Sequence, residues 1–242
     1  MENPFILFNS MIAASEKKGM FNAVSREIIK MSRSATSQML LRFKLAESPA
    51  EITDALKLRY QVYCLEKRWL QREQYPSGLE ADSLDPFARQ FICLNEKNAV
   101  IGTVRLILNS PKGFPIQDHP SPPITYFQGK QTAAEISRLI VAKASRSLKV
   151  SLGLYRILYA HSREHQIHKW YMTIEPKFLK WFQTMGVRFA VVGSASFFFG
   201  DKTIPVKCEL QETFGRLQER NPDLFAWFSK DPGQIAPGEK II

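Results

Sequence analysis

Cysteine is scarce in this chain: Cys64, Cys93 and Cys208 are three among 242 residues, an odd number with no paired spacing. A disulfide framework is therefore not expected, and a reducing cytoplasm fits best. Long apolar runs are also missing, since no stretch approaches the roughly 18 residues that mark a membrane-spanning helix. The apolar start Phe5-Ile-Leu-Phe8 is short and follows Glu2 instead of a basic segment, so a secretory leader is not expected either. Several catalytic signatures are absent. There is no Walker loop and no G-x-G-x-x-G after a strand, and Gly193-Ser-Ala-Ser-Phe197 does not form a nucleophile elbow. No cysteine has a histidine in a recognisable arrangement, and there is no internal repeat or low-complexity tract. Acidic residues are the minority sign, 23 against 33 basic, and the resulting formal charge of +10 favours an anionic partner: nucleic acid, an anionic membrane or an acidic protein.

What is present is ample apolar content, 45% of residues, for one packed domain. Residues 1–40 carry Phe21, Val24, Ile28 and Met31 at helical spacing, interleaved with Lys17, Lys18, Arg26, Lys30 and Arg33. They read as a basic amphipathic helical extension, packed on the domain or lying on an anionic membrane surface. Residues 41–242 form the domain proper. Leu41–Ala46 alternates like a first strand, and Ser48, Pro49 and Glu51 supply a helix start with a capping box. An acidic loop, Leu79–Pro86, precedes two strands over Ala88–Asn95 and Ala99–Leu108, and the proline-rich residues 111–123 read as a loop. Ala133–Ala160 is the organising stretch, a strand through Val141 followed by a helix from Ser147. Strand, helix and strand patterns follow through Leu210, and a helical tail runs from Glu212. The sum is one α/β domain with a mixed sheet.

Several residues stand out chemically. Glu135 and Arg138 are charged within an otherwise apolar strand, where an unpartnered charge costs several kcal/mol. Such a pair is either mutually neutralised or chemically employed. Glu80, Asp82 and Asp85 are three carboxylates within six residues, a solvated loop unless cations sit among them. Arg59 and Trp69 close the preceding helical segment, and Arg105 lies inside an apolar strand, where burial requires a carboxylate partner. Lys143, Arg146 and Lys149 surround a helix start that already favours an anion. His161-Ser-Arg-Glu-His165 matches the H-x-x-E-H pattern of inverted zinc peptidases, and His168 lies one turn on. A catalytic zinc also needs a third ligand, a water-polarising carboxylate and a cleft, whereas this helix must turn Leu154, Ile157 and Leu158 to the core, so no metal is expected. Phe197-Phe-Phe199, Phe127, Trp170 and Trp181 read as core rather than as a ligand cage.

Arg59-Tyr-Gln-Val-Tyr63, Trp69, Glu80-x-Asp82-x-x-Asp85, Gly102-x-x-Arg105 and Glu135-x-Ser-Arg138 together resemble the ordered signature of acyl-homoserine-lactone synthases. Leu154–Ala160, Ile174-Glu-Pro-Lys and Met185-Gly-Val-Arg-Phe189 are more similar to N-acyl amino acid synthases and to exosortase (PEP-CTERM) associated acyltransferases. The resemblance implies a GNAT-like (acyl-CoA N-acyltransferase) fold, a mixed twisted sheet flanked by helices. It also implies a long-chain fatty acyl donor on acyl carrier protein, a small amine or amino acid as acceptor, and no tightly bound cofactor.

On that resemblance Glu135 is the general base, and Arg138, Asp82 and Asp85 hold the catalytic arrangement. Arg59, Trp69, Glu80, Arg105 and Ser137 line the acceptor site. Lys143, Arg146, Lys149, Gly153 and Arg156 meet the phosphopantetheine arm and its carrier. The usual coenzyme A loop of GNAT enzymes, Q/R-x-x-G-x-G/A, is absent, and Ser147–Gly153 stands in its place, which puts carrier protein ahead of coenzyme A. The expected product is an N-acyl amino acid, made in the cytoplasm or at the inner-membrane surface. An acyl-homoserine-lactone synthase using S-adenosylmethionine is the second enzymatic reading, and a non-catalytic basic module binding nucleic acid is the alternative of another class.

Overall fold

The computed structural model describes residues 39–108, 110–121, 132–239 and 241. The helical extension expected up to residue 40 therefore falls, as far as residue 38, outside the described residues, as does Phe127.

The chain opens with β1, Leu41–Leu45, and α1, Pro49–Tyr60. Ser48 accepts from the Glu51 backbone N–H, and the Glu51 carboxylate answers to the Ser48 backbone, so both ends of the expected capping box are closed. The helix does not stop at Tyr60. It widens over Gln61–Glu66 into a π turn, in which Lys67 N–H reaches the Val62 carbonyl five residues back.

The hairpin strands β2, Ala88–Leu94, and β3, Val100–Ile107, lead through the proline-rich loop to β4, Ala133–Val141. Helix α2, Leu148–Glu164, is capped by Ser147 and returns to β5, Lys169–Ile174, which pairs parallel to β4. Parallel neighbours need such a crossover. After α3, Pro176–Thr184, come the short strands β6, Ala190–Val191, and β7, Ser196–Phe198, and the long β8, Asp201–Glu209. The chain closes with α4, Leu210–Arg220, α5, Pro222–Phe228, and β9, Gln234–Ile235, which adds to the free edge of β1. The sheet order is β6-β8-β5-β4-β3-β2-β1-β9, with β7 folded onto β8.

Alternation along the strands divides the side chains between two faces. Phe91, Cys93, Val104, Leu106, Ala134 and Ile136 pack under α2 in the principal core, joined by apolar residues of α3, α4 and α5. Gly102 and Gly153 are what let α2 lie this close. A side-chain carbon on Gly102 would come within 2.7 Å of Val150, and one on Gly153 within 2.2 Å of the Phe43 ring. The opposite face, beneath α1, carries Gln90, Arg105, Glu135 and Ser137.

Trp170 and Trp181 are core, as the sequence suggests. Phe197 is not: it is 73% exposed at the β7–β8 hairpin. The sequence reading also missed β9, because two residues carry no periodicity. Among the described residues no helix is long and apolar enough to cross a membrane.

Candidate active site

Two departures from regular pairing shape the α1 face of the sheet. Thr103 pairs with Ile140 and Arg105 with Ser137, so Arg138 and Leu139 together oppose Val104 in a bulge. Arg138 takes φ +54° there, a left-handed conformation that is sparsely populated for a long side chain. The second departure is that β4 and β5 pair over three positions only, ending at Glu135 opposite Tyr171. Beyond that point the β4 edge from Ile136 to Val141 has no strand partner on the β5 side among the described residues.

Onto this face fold the three carboxylates of the acidic loop, with arginines set among them. Arg59, Arg105 and Glu80 are fully buried, and Arg138 nearly so. Arg59 Nε lies 2.5 Å from Glu80 Oε2, and its two terminal nitrogens grip Asp85 at 2.6 and 3.2 Å. Arg105 reaches Asp82 at 2.6 Å, Asp85 at 3.2 Å and the Ser137 hydroxyl at 3.0 Å. Arg138 donates to Glu80 at 3.0 Å and to Asp82 at 3.1 Å. Each guanidinium is thus shared between two carboxylates, and α1, the acidic loop, β3 and β4 are locked together. Three positive and three negative charges cancel, which is the condition for burying them.

The titration of these groups follows from that sharing. Burial alone pushes Glu80, Asp82 and Asp85 up, but the neighbouring guanidiniums outweigh it and hold all three below their ordinary values, Asp82 at about 2. Glu135 behaves oppositely. It lies under Phe114 and Ile116 of the proline-rich loop, and its Oε2 accepts the Ile116 N–H at 2.9 Å. Burial dominates, and although that hydrogen bond, Arg105 and Arg138 pull downward, the carboxyl rises to about 8. Four carboxylates near each other therefore divide into three fixed anions and one group that exchanges its proton near neutrality.

An aromatic wall stands beside the network. The Arg138 guanidinium lies 4.0 Å from the Phe199 ring centroid and 5.5 Å from that of Tyr63, which stacks on Trp69 at 5.7 Å. Phe199 and Gly200 are the two turn residues of the β7–β8 hairpin, both with positive φ, and a side-chain carbon on Gly200 would strike Trp69 at 2.3 Å. The hairpin thus rests on Arg138 and Trp69. Phe199 and Gln90, which donates to Asp85 at 2.8 Å, belong to the site and were not recognised in the sequence. A Phe-Gly pair between two strand-like runs is a hairpin signal, and it was the available clue.

The residues expected to meet a carrier arm divide. Lys143 is exposed just after β4, and Arg146, near the start of α2, bonds Glu66 at 2.6 Å. Lys149, Gly153 and Arg156, at i, i+4 and i+7, instead form an inward stripe of α2. Gly153 abuts Phe43, while Arg156 donates to the Gln234 carbonyl, pairs with Glu239 at 3.6 Å and lies 4.2 Å from the Trp227 ring centroid. Lys149 is 6% exposed, and burial lowers its pKa. The expectation that these three contact a carrier is therefore corrected: helical periodicity turns them toward β1, β9 and α5.

Residues 54–196, more than half of the chain and the segment that holds most of the site, match the N-acyl amino acid synthase FeeM family. The chain belongs to the N-acyl amino acid synthase family. As a member it is an acyltransferase. No curated protein matches it. Among solved structures it is similar to BjaI, a CoA-dependent acyl-homoserine lactone synthase determined with SAM and isopentyl-CoA. That match has a TM-score of 0.59 at 19% identity and covers 75% of this chain and 89% of that one. FeeM, an N-acyl amino acid synthase from uncultured soil microbes, superposes with TM-score 0.53 at 16% identity, over 73% and 94%. The acyl-homoserine-lactone synthase LasI gives 0.59 at 16%, over 75% and 95%. At such identities the likeness speaks for the fold, and this family member has the GNAT-like arrangement of a mixed sheet flanked by helices.

Proposed function

We propose that this protein moves a long-chain fatty acyl group from the thioester of acyl carrier protein to the amine of an amino acid. The observation that carries the reading is the convergence at Glu135: pairing of β4 with β5 ends there, the bulge at Arg138 follows, and the arginine–carboxylate network lies beside it.

Aminolysis of a thioester needs no protein nucleophile. The amine nitrogen attacks the carbonyl carbon, the C–S bond breaks, and the amine's surplus proton ends on the departing thiol. Glu135 takes that proton and passes it on. With its pKa at about 8 it matches the requirement that a general base titrate near working pH, a role worth about 10² to 10⁴ in rate. Backbone N–H groups of β4 that lack strand partners can steady the oxyanion, worth about another 10² to 10³. The same strand edge suits the amides of an extended pantetheine arm.

Two buried polar atoms support an amino acid as acceptor. Arg105 Nη2, a donor, and Gln90 Oε1, an acceptor, have no hydrogen-bond partner among the described residues, although Gln90 and Arg105 are paired in adjacent strands. Unmatched buried groups of this kind cost about 1–3 kcal/mol each. A zwitterion offers a carboxylate to the first and an ammonium to the second. For the donor, Lys143 and the start of α2 present positive charge beside the unpaired strand edge, which suits an acidic carrier.

The experiment supplies palmitoyl carrier protein with mixed amino acids and follows the product by mass spectrometry. An N-palmitoyl amino acid is expected. An acyl lactone formed only with S-adenosylmethionine, or consumption of palmitoyl-coenzyme A in place of the carrier thioester, would overturn the acceptor or the donor assignment respectively.

A further inference from the structure

The H-x-x-E-H segment plays no part in the network. His161, Glu164 and its neighbour His165 close α2, which packs on the other side of the sheet, with His161 against Phe91 of β2. One ligand atom from each of the three residues lies within 4.8 Å of the others. We propose that His161, Glu164 and His165 bind a divalent transition-metal ion of the zinc class, an exchangeable site that fastens the end of α2 and takes no part in acyl transfer.

A hydrogen bond to the backbone fixes the His165 ring. Its Nδ1 lies 2.9 Å from the His161 backbone carbonyl, and because a carbonyl only accepts, Nδ1 carries the proton. Nε2 is then left with its lone pair outward, the arrangement by which metal-ligating histidines are oriented through their other ring nitrogen. His161 is fixed by packing instead, its ring edge-to-face on Phe91 at 5.0 Å. The two imidazoles stack at 3.9 Å with 26° between their planes, so they already stand side by side.

Charge and reach are consistent with an ion. Arg89 adds positive potential at His161 and Glu164 adds negative, so the carboxylate is the member that makes the position hospitable to a cation. Ligand atoms around tetrahedral zinc, with bonds of about 2.0–2.1 Å, stand about 3.3 Å apart. Glu164 and His165 are exposed, so rotation of their side chains closes the remaining distance. The three cysteines, the competing soft ligands, are buried. With the Glu164 carboxylate used as a ligand, it is not free to act as the base that activates a bound water, which separates the site from the peptidase chemistry its motif suggests.

The test titrates zinc chloride into the untagged, chelator-stripped full chain near neutral pH by calorimetry, with thermal unfolding in parallel. One ion per chain and a zinc-dependent rise in melting temperature are expected. His165→Ala, at an exposed position, should weaken binding by at least about 10-fold and abolish the rise, and His161→Gln should do the same. His168→Gln should bind as the unaltered chain does. Absence of saturable binding, or undiminished binding by His165→Ala, would overturn the site.

Discussion

The guanidinium carbon of Arg138 lies 4.0 Å from the ring centroid of Phe199, two residues 61 positions apart in sequence and both at positive φ. Each holds the other in an uncommon backbone conformation: the bulge aims Arg138 at the hairpin, and the hairpin turn aims Phe199 back. The contact connects the ion network to the aromatic turn of the β7–β8 hairpin.

Removing the ring should therefore be felt in acceptor binding more than in folding. Phe199→Ala is expected to raise the acceptor KM by about 2- to 30-fold, the range of cation–π contacts, with kcat little changed. Steady-state kinetics against the amino acid reads this directly. An unchanged KM would mean that the hairpin only covers the network.

Much of this arrangement was legible beforehand. Ser48, Pro49 and Glu51 announce α1 because capping is local chemistry, and the strand and helix of residues 133–164 announce themselves by period. Arg59, Glu80, Asp82, Asp85, Arg105 and Arg138 are conspicuous because charges in apolar surroundings require each other. What the residues could not show is which charge faces which. Lys149 and Arg156 look like a basic surface until helical phase turns them inward, where Glu239 and Trp227 meet them. Phe199 and β9 depend on contacts between distant segments and leave no periodic trace.

Breaking the network should cost stability. In Glu80→Gln, Arg59 and Arg138 lose their shared, fully buried anion, so unfolding by urea should show a loss of about 3–5 kcal/mol. An effect below about 1 kcal/mol would place Glu80 in water rather than between the two arginines.

The close seat of α2 gives a second stability test. Gly153→Val drives a side chain into the Phe43 ring and should destabilise by about 1–3 kcal/mol or more, seen as a lowered midpoint in the same assay. A neutral result would show that α2 stands farther from β1.

Acidity separates the carboxylates. Asp82 is depressed from 3.8 to about 2, so its contribution to stability is present above about pH 4 and is lost as pH falls through 2. Glu135 is raised from 4.5 to about 8, so the fold favours its protonated form, and that contribution is full below pH 4.5 and fades as pH rises through 8. Urea unfolding from pH 5 to 9 should show stability declining in the unaltered chain and a flatter profile in Glu135→Gln. Parallel profiles in the two chains would refute the shift.

The most direct measurement is single-turnover acyl transfer from palmitoyl carrier protein by Glu135→Gln, with circular dichroism verifying the fold. The account predicts a rate lowered by about 10² to 10⁴ and loss of the rise in rate with pH toward 8 that is expected of the unaltered chain. A folded Glu135→Gln protein that transfers the acyl group at the unaltered rate, with the same pH profile, would contradict it.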